Sequence, residues 1–440
     1  MTRSLPKPVI AALTFLLLVL FLAAFAYGVA VQRHRLFPYA YIYQVEQALQ
    51  WSAEKVADQQ AWYYQPFVRP NTVIAPSGSE AAMGLNLLTI MGPDHTPQLK
   101  VVDMAGTEIH SWATNWFDIW PDATHLPPEE VPQSMPGGHL QGAVLLPDGD
   151  IVFNYSKLGT VRMGLCGEVR WKLPYQTHHS IHLDSDNVLW IPGKRKYLEK
   201  LANFPAHKAP VIDQTILKVS LDGEILDEIS VFELLANNNQ RALLHMTADA
   251  IADRVQGGTD VLHLNDIEVF PRHLEEGFFK YGDIVLSLRN INTIAVFEPK
   301  TWRLKLLKVG GFVRQHDPDF IDGNTIMLFD NNNIGPAAFG QQSRILKLDG
   351  PTGEITELFS GSAEYPFYTK IMGTQQLLSN RNLLITDSIH GRAFEINDQG
   401  QVVWEYTNIV DDSTVGLMEE AHRISPELNK ILSNVSCDTN

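Results

Sequence analysis

Two stretches decide the fold: Gly400-Gln401-Val402-Val403-Trp404-Glu405-Tyr406 and Gly167-Glu168-Val169-Arg170-Trp171. Each is a glycine turn running into an alternating segment, the period of a pleated strand with one buried face. Looser copies begin at Gly106 (ending at Trp112), Gly223, Thr301 and Gly353. Six such tails recur at a mean interval of about 59 residues, within the size range of propeller blades carrying insertions.

The heads of the units agree with their tails. Apolar alternation broken by Asp-Gly or Asn turns appears in Ala143-Val144-Leu145-Leu146-Pro147-Asp148-Gly149-Asp150-Ile151-Val152-Phe153. It returns at Phe320-Ile321-Asp322-Gly323-Asn324-Thr325-Ile326 and at Leu377-Leu378-Ser379-Asn380-Arg381-Asn382-Leu383. These are hairpin signals. Short antiparallel strands in a radially repeated unit predict an all-β, six-bladed β-propeller. A sandwich does not repeat at a fixed long period, and a parallel solenoid repeats at a much shorter one. The long intervals 167–223 and 223–301 carry insertions, with a helical stretch expected near 231–252. Trp112, Trp171 and Trp404, each in a tail, are expected to pack between blades.

Outside the repeat, residues 9–31 hold no formal charge and are rich in Leu, Ala and Phe, with Arg3 and Lys7 before them and Arg33 and Arg35 after. That is long enough to span a bilayer. A cleaved signal peptide is the rival reading, since Ala24-Phe25-Ala26 resembles a small-x-small cleavage site. The expected organisation is a short cytoplasmic N-terminus (1–8), a transmembrane anchor or signal peptide (9–31), a linker or stalk (32–80) and the propeller (81–440), on the extracytoplasmic side. Val45, Leu49, Trp51, Val56 and Trp62 recur at near-helical spacing and predict a helix over 41–66.

Composition narrows the function classes. A net charge of −16 argues against a nucleic-acid binder, because nothing offsets phosphate repulsion. With 45% apolar and 19% charged residues, disorder is excluded and a large core is expected. Two cysteines, Cys166 and Cys437, allow at most one bridge and exclude a disulfide framework, a four-thiolate zinc site and an iron–sulfur cluster.

Propeller geometry picks out a candidate site. The loop entering the first strand of a blade and the loop between its second and third strands open on the same face. Histidines stand in the entering loop of three units: His178 and His179, His263 and His316. The second-to-third loops add Arg289 with Asn290, Asn331 to Asn333, and His390 with Arg392. Imidazoles, a guanidinium and amides around one mouth suit an anion with tetrahedral oxygens. A neutral imidazole there is also a nucleophile. A single histidine at a strand start is ordinarily a hydrogen-bonded structural residue, and Arg289 alone could cap a turn. A metal-dependent hydrolase or lactonase with Asp266 or Asp317 among its ligands, and a non-catalytic anion or glycan binder, stand as alternatives.

The residues at this mouth resemble the arylsulfotransferases, which use aryl sulfates as donors in place of a nucleotide sulfate. The resemblance is spread over about residues 85–425. Its most specific pieces are Arg314-Gln315-His316-Asp317-Pro318-Asp319-Phe320, running into Leu328-Phe329-Asp330-Asn331, and Ser287-Leu288-Arg289-Asn290-Ile291-Asn292, which looks like a Ser-x-Arg-x-x-Asn stretch. His263-Leu264-Asn265-Asp266 is similar to a His-x-Asn element, and His178-His179 to a His-His-Asp element in which Ser180 replaces the aspartate. The resemblance implies that His316 attacks sulfur and becomes a transient sulfohistidine, with Arg289, His263 and His179 assisting; His178, Asn265, Asn290, Asn331 and His390 are the expected substrate contacts around the same mouth. It implies a six-bladed propeller and a phenolic sulfate donor with a phenolic acceptor, without cofactor or metal. A neutral nucleophile beside a proton-donating imidazole leads one to expect a bell-shaped rate profile with limbs near the histidine range.

Overall fold

The alternating runs assemble as their period demands. The computed structural model describes residues 7–34, 37, 63–66, 73–75, 80–207, 209–246, 253–255, 258–334, 342–362, 365–433 and 437. They belong to two units, 1–62 and 63–440.

In the first unit, Lys7–His34 is one helix. Residues Pro8–Val31 are long and apolar enough to cross a membrane, and Phe15, Leu17, Phe21 and Phe25 stand exposed. A helix apolar all round belongs in lipid or in a signal sequence. Of the helix expected over 41–66, the part up to Trp62 lies outside the described residues. Its last three residues are not helical: Tyr64–Pro66 pair antiparallel with Thr414–Gly416.

The second unit is a six-bladed propeller. Blade I takes Leu85–Met91, Pro97–Val102 and Glu108–Ala113, and its innermost strand, Met418–Ile424, comes from the other end of the chain. Blade II is Leu140–Leu145, Ile151–Tyr155, Gly159–Met163 and Val169–Leu173. Blade III is His182–Leu183, Leu189–Tyr197, Val211–Val219 and Ile225–Ser230, and blade IV is Leu264–Val269, Ile284–Leu288, Thr293–Phe297 and Leu304–Val309. Blade V is His316–Phe320, Thr325–Asp330, Arg344–Asp349 and Ile355–Ser360. Blade VI is Gln375–Leu377, Leu383–Asp387, Arg392–Ile396 and Val402–Thr407, with Val73–Ile74 added at its outer edge. Every tail recognised in the sequence is the fourth strand of a blade, and only that of blade VI has a further strand, Val73–Ile74, beyond it among the described residues. The insertion after blade III forms the helix Val231–Asn237 and a single turn at Arg241–His245, not one helix to residue 252. Residues 247–252 lie outside the description.

Hydrophobic clusters lie at the six interfaces between neighbouring blades. Leu87, Trp112 and Phe153 meet between blades I and II, Val285, Phe320 and Leu328 between IV and V, and Leu88, Trp404 and Tyr406 between VI and I. Each large side chain so buried contributes roughly 1.5–3 kcal/mol. The tail tryptophans also reach across: the indole N–H of Trp112 donates to Gly164 O, that of Trp171 to Leu221 O and that of Trp404 to Met104 O, each in the next blade. Cys166, in an outer turn of blade II, is disulfide-bonded to Cys437.

The inner strands do not enter their sheets regularly. Register breaks fall at Gln141/Ala143, Leu264/Asp266, His316/Asp319 and Met418/Glu420, at the start of four of the six inner strands. A bulge of this kind turns a side chain away from the sheet and toward the channel mouth.

Candidate active site

Three entering loops converge on one mouth. His179 is the hub: its ring centroid lies 5.0 Å from that of His178, 5.0 Å from that of His263 and 6.3 Å from that of His316. His179 and His263 hold left-handed backbones, with φ of 57° and 54°. Non-glycine residues rarely adopt that region, and it is concentrated at functional sites. The loop of His179 is held by blade II, whose Gln141 Oε1 accepts from His179 N while Asn154 Nδ2 donates to His179 O. Gly142 passes so close that a Cβ there would lie 2.4 Å from His179 O and 2.7 Å from Ile181 N.

Each ring is anchored through Nδ1. His316 Nδ1 lies 2.6 Å from Asn331 Oδ1 and 3.1 Å from Arg314 O. Asn331 Nδ2 donates to Thr369 O and Met372 O, so the amide must present its oxygen to the imidazole. Facing two acceptors, Nδ1 carries the proton, and the neutral ring keeps its lone pair on Nε2. His263 Nδ1 lies 2.7 Å from Asp260 Oδ2, and His263 N also donates to Asp260. His178 and His179 share one hydrogen bond between their Nδ1 atoms, 2.9 Å apart.

The rings are kept neutral. Burial, reinforced by Arg289, pushes His316 down to about 3 despite its bond to Asn331. Burial and the neighbouring His263 lower His178 to about 3. His179 falls well below the ordinary range through burial and the surrounding imidazoles, and His263 falls through burial and Arg289, with Asp260 opposing. Asp260 is itself buried, which opposes its ionisation, but His263 holds it below the usual carboxylate range.

Arg289 opens the turn between the second and third strands of blade IV, and its N–H donates to His263 O. Asn290 receives a 3.3 Å bond from Arg289 and donates to Asp260 O. Asn265 Nδ2 donates to Gln315 O, and its Oδ1 is buried without a partner. His390 stands apart. Its Nδ1 bonds Asp387, whose charge raises it above the ordinary histidine value, and it makes no ring contact or hydrogen bond with the other histidines. Ser180 lies beside Asp266, whose carboxyl burial pushes up to about 7. Among the described residues, no group of three His, Cys, Asp or Glu side chains is arranged to hold a metal ion.

Four residues at the mouth escaped the sequence reading. A small pocket beside His178, His179 and His263 is also lined by Lys157, Lys194, Gln214 and Asp260. Lys157 sits in the second-to-third loop of blade II, the position that drew attention to Arg289 and Asn331 in other blades. Lys194 is the buried member of the charged run Lys194-Arg195-Lys196 in the strand Leu189–Tyr197. Asp260 and Gln214 carried no such signal, because Asp260 lies on an inserted strand, Gly258–Asp260, paired parallel with Val211–Val219 outside the repeat; Gln214 Nε2 donates to Asp260 Oδ1.

No curated protein matches the chain. Among solved structures it resembles a protein of unknown function from Bacteroides caccae, at 12% identity and a TM-score of 0.46, over 77% of this chain and 98% of that one. A nidogen/laminin complex matches at 10% identity and a TM-score of 0.42, over 77% and 97%. A catalytically inactive virginiamycin B lyase from Staphylococcus aureus with quinupristin matches at 10% and 0.40, over 79% and 90%. The family model of the arylsulfotransferases (ASST) matches residues 142–409, from within the first strand of blade II to just past Val402–Thr407 of blade VI. That span is more than half of the 440 residues and carries the whole histidine group with Arg289, so the chain belongs to the arylsulfotransferase family.

Proposed function

We propose that this chain moves a sulfuryl group from an aryl sulfate ester to a phenol, without a nucleotide donor, by two displacements at His316. The observation that carries the reading is the Asn331–His316 hydrogen bond, which leaves a neutral ring with its Nε2 lone pair in a mouth that also holds Arg289.

In the first displacement Nε2 of His316 forms a bond to sulfur as the S–O(aryl) bond breaks. The phenolate departs with that electron pair and takes a proton from solvent. In the second, the oxygen of the acceptor phenol bonds sulfur and the N–S bond breaks, returning its electrons to Nε2. The acceptor's proton passes to His263, whose imidazolium is supported by Asp260, and from there to solvent, so the cycle balances. Arg289 stabilises the charge on the sulfuryl oxygens in transit, as fixed cations do in sites poor in water. In the tautomer where His178 donates to His179, His179 presents Nε2–H as a further donor.

The N-terminal helix with its short basic leader supports a membrane anchor and a propeller on the far side of the membrane. The Cys166–Cys437 disulfide fits that placement, since such bonds persist in oxidising compartments. Both substrates are small phenolic molecules.

The test uses the full chain purified in detergent with 4-nitrophenyl sulfate, with and without phenol. Nitrophenol release that depends on phenol, and a sulfuryl adduct mapping to His316 after rapid quenching, are expected. A His316→Ala protein transferring at the parent rate overturns the reading.

A further inference from the structure

The lysines beside the histidine group are not accounted for by transfer of one sulfuryl group. Lys157 and Lys194 line the same pocket as His178, His179 and His263. The charge of Lys157 bears on His178, His179 and His263, whereas that of Arg289 bears on His263 and His316. Two cationic poles therefore flank the imidazoles, with Arg289 toward the nucleophile and the lysines on the side of His178.

The lysine pole carries excess charge. Glu130 serves two ammonium groups, Lys194 at 3.5 Å and Lys196 at 3.2 Å. Asp260, hydrogen-bonded to His263 and Gln214, also bears on Lys194 and Lys157. Lys157 makes no hydrogen bond or ion pair among the described residues, and its loop holds it with φ of 63°. Lys194 is 7% exposed, so a shared Glu130 and Asp260 are what offset a charge largely removed from water. A cation in a concave, mostly dry pocket recruits an anion from whatever enters.

We propose that the aryl group entering this site carries a carboxylate of its own, seated against Lys157 and Lys194, so that the substrates are phenols bearing a carboxylate, not simple phenols. This rests on the transfer reading above and deepens it. The sulfuryl group occupies the Arg289 side, the ring spans the histidines, and the carboxylate enters the pocket between blades II and III.

The test compares 3-hydroxyphenylacetate with the neutral 3-hydroxyphenylacetamide, whose phenols are alike, as acceptors for the full chain with 4-nitrophenyl sulfate as donor. Calorimetric binding of each without donor runs in parallel. The acid is expected to exceed the amide about tenfold in kcat/KM, the scale of one charge-assisted hydrogen bond. That ratio should fall to about one in Lys157→Gln and return in Lys157→Arg. Equal use of acid and amide by the parent, or a ratio that survives in both Lys157→Gln and Lys194→Gln, overturns the proposal. If neither acceptor is sulfated but the acid binds about tenfold tighter through Lys157, the transfer reading fails while the carboxylate pocket stands. If neither is sulfated and neither binds preferentially, both fall.

Discussion

Asn331 determines which nitrogen of His316 keeps its lone pair. Its Oδ1 faces Nδ1 because its Nδ2 is tied to Thr369 O and Met372 O, so we assign it a positioning role. Asn331→Ala is expected to lower kcat by about 10²-fold or more, the scale of losing a positioned proton, while 4-nitrophenyl sulfate binding changes little; a parallel loss of binding would argue for substrate contact instead. The depressed pKa values also move the anticipated pH profile. With His316 near 3, the nucleophile is neutral through the whole ordinary histidine range. The acid limb of kcat/KM for 4-nitrophenyl sulfate should therefore fall well below pH 6, and a limb at pH 6–7 would contradict this. Arg289 lowers His316 and, in the proposed transfer, stabilises charge on the sulfuryl oxygens. Arg289→Met should cut kcat by roughly 10²–10³-fold and shift the acid limb upward, because the guanidinium no longer opposes protonation.

At the scale of elements, the entering loops make the site and the sheets merely hold them. Register breaks at Leu264/Asp266 and His316/Asp319 aim His263 and His316 out of their strands, and Gly142 lets the inner strand of blade II lie against the loop of His179. Gly142→Ala puts a methyl group into backbone atoms that cannot give way without moving His179. It should cost about 1–3 kcal/mol of stability and a larger share of activity; an unchanged rate would mean that the position of His179 is not critical. This division explains what the sequence made legible. The outer strands announced themselves, because a turn, an alternating run and a tryptophan that reaches the next blade are local patterns. The histidines at the mouth followed from one rule about loops, which also applied to Lys157 in residues 155–159 but was not carried to that blade. The same rule included His390, which is bound to Asp387 and Arg392's neighbourhood in place of the histidine group. Asp260 was out of reach, because a strand paired parallel to another blade leaves no trace in a period. Nor did the repeat reveal that the tail at 106–112 belongs to a blade whose inner strand lies more than 300 residues later.

The whole molecule carries two sets of buried ionisable groups with opposite demands. His316, His178 and His139, each held near 3, and His182 near 4, are neutral when folded and charged when unfolded below about 6.5, so their contribution is lost as pH falls from there toward 3. Along the channel, burial raises Asp266 to about 7 and pushes Glu268, Asp317, Asp319 and Glu419 well above the carboxylate range. Protonated when folded, these contribute below about 4 and lose that contribution as pH rises through their folded values. Between about pH 4 and 6.5 the two sets oppose each other. The melting temperature should therefore be nearly level there and fall on both sides, with Glu268→Gln flattening the alkaline limb; a steep single-sided profile would contradict this. Cys437→Ser releases the tail from blade II and should cost about 2–5 kcal/mol, read as a lower melting temperature. The ring closes only when Met418–Ile424 pairs with Leu85–Met91. On a ribosome adding about 5–20 residues per second, blade I thus waits, with an unpaired edge, until every other blade strand has been made. A chain interrupted before that strand is an open ring, with the inner edge of Leu85–Met91 left unpaired.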